Sequence, residues 1–149
     1  MTINYKILVR FWLPIPLYIG LIFFMSSLSF IPFALPKITN FDKIMHMTEY
    51  AILAVLLARA VNSAARPSSL WLRLLICVGL VVVFGSLDEI YQSTVPNRQS
   101  DIWDLAADSL GGFLGSGLFF LIINWRRKKT GGKTQDSVVK PEPTTLAGP

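Results

Sequence analysis

Hydrophobic residues fall in four long blocks along the chain, separated by short polar stretches. The blocks run from about Ile7 to Ser29, Ile44 to Val61, Leu70 to Leu87 and Leu105 to Trp125. Each is close to the roughly twenty residues that a helix needs to cross a bilayer. The pattern predicts an all-α fold, a bundle of four transmembrane helices over residues 5–125. Pro14 and Pro16 predict a kink in the first helix, and Arg73 near the start of the third can snorkel. The fourth block carries Gly111, Gly112, Gly115 and Gly117, and the Gly111/Gly115 spacing is that of a close helix-packing face. A cleaved signal peptide is the competing reading of the first block, with Lys6 and Arg10 as its basic start and Ser27-Leu28-Ser29 for cleavage. The apolar stretch is longer than a typical signal core, which favours a retained span.

Composition agrees with the block pattern. Hydrophobic residues make up 52% of the chain and charged residues 15%. An ordinary soluble domain has more polar surface than this allows. Most of the net charge of +5 lies in the tail after Trp125, where Arg126, Arg127, Lys128, Lys129, Lys133 and Lys140 face only Asp136 and Glu142. A basic cluster directly after an apolar helix is a topology anchor and can touch anionic lipid. No base-stacking motif accompanies it, so no nucleic-acid partner is expected. Residues 126–149 read as a disordered cytoplasmic tail, rich in Gly, Thr, Pro and Lys. Cys77 is the single cysteine, which excludes an intrachain disulfide and a cysteine metal site.

Seven of the nine carboxylates sit beside the apolar blocks rather than in the tail: Asp42, Glu49, Asp88, Glu89, Asp101, Asp104 and Asp108. A carboxylate near lipid costs several kcal/mol (about 3 on insertion scales) unless it is paired, hydrated or faces protein. In FDKIMHMTEY, the residues Asp42, His46, Glu49 and Tyr50 are spaced i, i+4, i+7, i+8 and share one helical stripe. Asp88 and Gln92 are i, i+4 at the end of the third block, with Glu89 beside them. Pro96 and Asn97 signal a turn, and Arg98 follows. Asp101, Asp104 and Asp108 are i, i+3, i+7, again one face. Ser100 or Asp101 can cap the fourth helix, but Asp108 lies about two turns deeper, out of capping range. Glu49 and Asp108 need partners, for which Lys43, His46 and Arg98 are the candidates.

Each residue also has a plainer reading. Asp42 can be an interfacial cap, His46 a packing residue, Tyr50 an aromatic anchor, and the whole set an internal salt-bridge network that specifies packing. Clustered carboxylates can instead share protons, with His46 and Glu49 or Asp88 as proton carriers. No local metal-ligand motif, serine elbow or phosphate loop occurs, so the expectation is no metal and no cofactor.

Taken together, these strings resemble the VanZ-like family, small membrane proteins named for a teicoplanin-resistance accessory protein. The resemblance rests on Asp42-Lys43 with His46, Glu49 and Tyr50; on Asp88-Glu89 with Gln92, Pro96 and Arg98; and on Asp104 with Asp108 and Gly111. The segment FFMSSLSF at the end of the first block is also similar. The resemblance spans roughly residues 5 to 125 and implies a multi-pass protein of a bacterial cytoplasmic membrane. It implies a link to glycopeptide susceptibility and brings no settled activity. Many members carry Asn where this chain has Asp108.

The expected function is an envelope protein whose outer polar site binds a lipid head group, a lipid-linked wall precursor or a partner protein. The alternative is a membrane-embedded enzyme acting on a lipid-linked substrate. The expected site comprises Asp42, Lys43, His46, Glu49, Tyr50, Asp88, Glu89, Gln92, Arg98, Asp101, Asp104 and Asp108. Orientation follows from the basic residues. Lys6 and Arg10, then Arg59, Arg66 and Arg73, then the tail mark one side, while the other loops hold only Lys37, Lys43 and Arg98. Both termini are therefore expected in the cytoplasm and the acidic clusters outside. A reporter active only in the cytoplasm, fused after Gly132, should work; activity of an externally active reporter there would reverse the topology.

Overall fold

In the computed structural model of the protein, residues 5–28, 41–64, 69–96, 98 and 100–138 are described, with side chains as far as residue 130. Lys37, Arg66, Asn97, the Ser29 end of the first block and residues 139–149 fall outside these. Four long helices occur, and all four are long and apolar enough to cross a membrane. They are α1 (Tyr5–Ser27), α2 (Phe41–Ala64), α3 (Leu70–Gln92) and α4 (Ile102–Val138). No strand is present among the described residues.

Local sequence explains the joints. Pro14 has no N–H to give, and its ring crowds the preceding turn. The expected disturbance takes the form of a π-turn over Leu8–Trp12, closed by the Leu13 N–H on the Leu8 carbonyl at 3.1 Å. Ser69 caps α3 by accepting the Leu72 N–H at 3.2 Å.

Three helices overrun the hydropathy blocks, and the reason is chemical. Hydropathy stops at the first cluster of polar residues, but here those residues are helical, and His46, Asp88, Glu89, Gln92, Asp104 and Asp108 are turned inward. Thus α2 begins at Phe41, α3 runs on to Gln92 and α4 starts at Ile102. α4 also continues past Trp125 to Val138. Lys and Arg are good helix formers, and extending a helix costs far less than starting one. Arg73 near the start of α3 donates to Asn62 Oδ1 at 3.0 Å and lies over the Phe120 ring at 5.2 Å.

The closest partnership is α2 with α4, with α3 packed on both and α1 more lightly held against α2 and α3. Tyr50, Leu53, Ala54, Leu57 and Ala58 of α2 meet Phe120 of α4 and Cys77 and Val81 of α3 in the core. The outer faces are apolar: Leu17, Leu75, Ile90, Leu118 and Leu121 are all exposed, as helices facing lipid require. The α2–α4 approach depends on two glycines. A Cβ at Gly111 would run into the Met47 carbonyl, and one at Gly115 into the Ala51 carbonyl. Both obstacles are backbone, so neither can swing aside.

Gly115→Ala is therefore expected to lower the melting temperature of the detergent-solubilised protein, at an overpacking cost of about 1–3 kcal/mol. Gly117, two residues on, has open space around its Cβ direction, and Gly117→Ala should leave melting unchanged. Equal melting of the two variants would refute the close α2–α4 contact.

Candidate functional site

The start of α2, the end of α3 and the start of α4 lie at the same end of the bundle. This gathers the polar residues into one layer. Lys43 reaches from α2 to the head of α4, 2.8 Å from Asp101 and 2.9 Å from Asp104. Asp42 contributes least: its side chain is exposed and stands 3.5 Å from the same ammonium. Asp101 also caps α4, accepting the Trp103 N–H at 2.9 Å. Its own backbone N–H donates to Glu89 Oε2 at 2.8 Å, which ties α4 to α3. The Lys43 ammonium, followed by the Trp103 N–H, holds the Asp101 carboxyl below its ordinary value. Whatever stability this lends is present above the unfolded carboxylate range and drains away as pH falls through the lower folded value.

Deeper in the bundle, His46 Nδ1 meets Asp108 Oδ1 at 3.1 Å. Asp108 is wholly enclosed. Of the partners the sequence offers for it, His46 takes the role, while Lys43 serves Asp101 and Asp104. Arg98 turns elsewhere and donates to the Leu28 carbonyl at 3.1 Å, closing the end of α1. Asp88 receives two hydrogen bonds on Oδ2, from Ser26 at 2.9 Å and Gln92 at 2.8 Å. Ser26 is the residue that sequence reasoning misses. Its signal is a serine pair ending an apolar block, which reads equally well as the lip of a span.

Glu49 is half-buried and has no hydrogen bond among the described residues. It lines a cavity of about 380 Å³ together with Ser26, His46, Gln92, Arg98 and the exposed edge of Asp42. Met25, Leu28, Phe41 and Met45 supply apolar wall. Tyr50 is fully buried in the core rather than placed at an interface as an anchor.

Four buried side-chain oxygens in this layer have no hydrogen-bond partner among the described residues: Tyr50 Oη, Asp88 Oδ1, Glu89 Oε1 and Asp108 Oδ2. A network built only to fix packing would close on itself, because each buried orphan costs about 1–3 kcal/mol. His46, Glu89 and Asp108 each offer one donor atom, and these atoms lie within 4.8 Å of one another. Three helices supply them, so no local sequence motif could have announced the cluster.

Asp108→Asn keeps an oxygen acceptor for His46 and should melt close to the parent protein. Asp108→Leu leaves the buried imidazole without its carboxylate and should cost about 1–3 kcal/mol. Thermal unfolding of the two variants in one detergent checks this, and a leucine variant as stable as the asparagine variant would contradict it.

Comparison with known proteins adds one finding. No curated protein and no solved structure matches the chain. The family model VanZ/LLP1 matches residues 6–123, which reaches into all four apolar helices and takes in every residue of the polar layer. With that much of its length matched, the chain belongs to the VanZ/LLP1 family.

Proposed function

We propose that the polar end of the bundle faces the outside of a bacterial cytoplasmic membrane and binds the anionic head group of a lipid or lipid-linked wall precursor. The observation that carries this reading is the cavity itself. Its polar residues, Ser26, His46, Glu49, Gln92 and Arg98, stand beside Met25, Leu28, Phe41 and Met45. That mixture suits an amphiphile, with a charged group against the polar side and hydrocarbon against the other. Arg98 uses one N–H on the Leu28 carbonyl and keeps further donors for a phosphate. Glu49 can meet an amine of the same ligand. A role in glycopeptide susceptibility would follow from occupancy of a wall precursor at this site.

A second reading, an enzyme acting on a lipid-linked substrate, is favoured by the His46–Asp108 pair at the cavity. An imidazole oriented by a carboxylate can carry a proton to or from a bound substrate. Both readings share the site, and the second demands turnover.

The full chain in nanodiscs containing phosphatidylglycerol should retain that lipid through detergent extraction, as read by native mass spectrometry. Arg98→Ala should retain about tenfold less, the loss of one charge-assisted hydrogen bond. Equal retention by parent and variant would defeat the binding reading. A new lipid species in the same extracts, absent with His46→Ala, would select the enzyme.

A further inference from the structure

We propose that His46, Glu89 and Asp108 form a site for one divalent transition-metal ion, of the zinc or manganese class. Three observations converge on it. The first is geometric: α2, α3 and α4 each aim one donor atom at a common point, with all three atoms within 4.8 Å of one another. Drawing such donors to the roughly 3.4 Å edge of a tetrahedral zinc shell takes shifts of about an ångström.

The second is the state of the two carboxylates. Glu89 is 5% exposed and Asp108 is not exposed at all. Each is held by one oxygen and leaves the other unused. Glu89 Oε2 accepts the Asp101 N–H, and Asp108 Oδ1 meets His46. Glu89 Oε1 and Asp108 Oδ2 have no partner among the described residues. Glu89, anchored by the Asp101 N–H and presenting a bare oxygen, is held as metal ligands commonly are by their surroundings, whereas the partner of Asp108 is His46 itself, a contact that a bound ion would replace. Gly85 sharpens the point, since a Cβ there would come within 2.8 Å of Asp108 Oδ2. The absence of a side chain at that position makes room for this oxygen.

The third is charge. Asp88, Glu89 and Asp108 are buried together, and Asp88 Oδ1 is bare as well. Lys43 is engaged by Asp101 and Asp104, and Arg98 is turned to the Leu28 carbonyl. His46 alone faces this excess of negative charge. A dication would balance it inside the bundle, where three like charges are costly. One imidazole with two carboxylates suits zinc or manganese better than calcium or magnesium, which favour all-oxygen shells. His46 also borders the cavity, so one of the three ligands lies at its wall. The metal site shares His46 with the cavity, but metal uptake is read without any lipid ligand, so its failure and that of the lipid reading are told apart.

The test uses the full-length, tag-free protein in detergent, stripped by chelator and then exposed separately to zinc, manganese, calcium and magnesium. Expected results are about one equivalent of zinc or manganese kept through desalting and a rise in melting temperature. X-ray absorption at the metal edge should show one imidazole nitrogen in the shell. The chain has a single histidine, so that nitrogen can only be His46. Glu89→Gln and Asp108→Asn should each bind at least about tenfold more weakly. Both keep an oxygen acceptor, and melting without metal reports whether they fold. Failure of the parent protein to retain either ion would overturn the proposal. A shell without imidazole, a preference for calcium or magnesium, or folded amide variants that bind like the parent would overturn it equally.

Discussion

The contact between His46 and Asp108 joins α2 to α4 inside the bundle, and it is possible only because those two helices meet backbone to backbone. Gly111 and Gly115 remove the side chains that would hold the axes apart. Once the helices touch, Asp108 is enclosed, and an enclosed carboxylate must be matched by something. The rest of the polar layer follows from that requirement. Lys43 closes its upper edge on Asp101 and Asp104, Glu89 ties in the backbone of Asp101, and Ser26 brings α1 to Asp88. Packing and charge are thus a single problem here, since the small residues that let the helices approach also decide which acids are buried.

The two ends of the bundle solve that problem differently. At the far end Arg73 and Arg127 share one amide oxygen, that of Asn62, at 3.0 and 3.3 Å. Two cations on a neutral acceptor can relax into water or head groups with little loss. At the polar end several acids are folded inward with too few cations beside them. The first arrangement suits an anchor. The second leaves carboxylate oxygens in an enclosed place with no hydrogen-bond partner among the described residues, which the other end does not do.

Much of this was readable in the chain. Four apolar blocks announced four helices, and the spacing of Asp101, Asp104 and Asp108 put them on one face before any contact was known. The Gly111/Gly115 spacing announced a tight approach, though not its partner. Pairings were harder. Lys43 and Arg98 looked interchangeable as partners for Asp108, because a sequence gives the reach of a side chain along its own helix and says nothing of the neighbour across the gap. Ser26 was invisible for the same reason, since its role exists only where α1 meets Asp88. Hydropathy alone stops short of Phe41 and Gln92, because it takes every polar residue for a surface one, while the helical spacing of Asp42 with His46 and of Asp88 with Gln92 carries the helices further. The three-donor cluster was beyond any local motif, with His46 and Asp108 sixty-two positions apart in the chain.

That separation has a consequence for how the protein is made. Chains emerge from the N-terminus onward. Lys43 and His46 enter the membrane region while Asp104, Asp108 and the two packing glycines are still untranslated. During that interval Lys43 and His46 of α2 are without the acids that later engage them, and the Met47 and Ala51 carbonyls have no smooth surface to lie on. The last helix is therefore the keystone of assembly. A nascent chain ending before Ile102 would possess three hydrophobic spans and yet lack the surface that locks α2 in place, which makes it a natural substrate for membrane quality control.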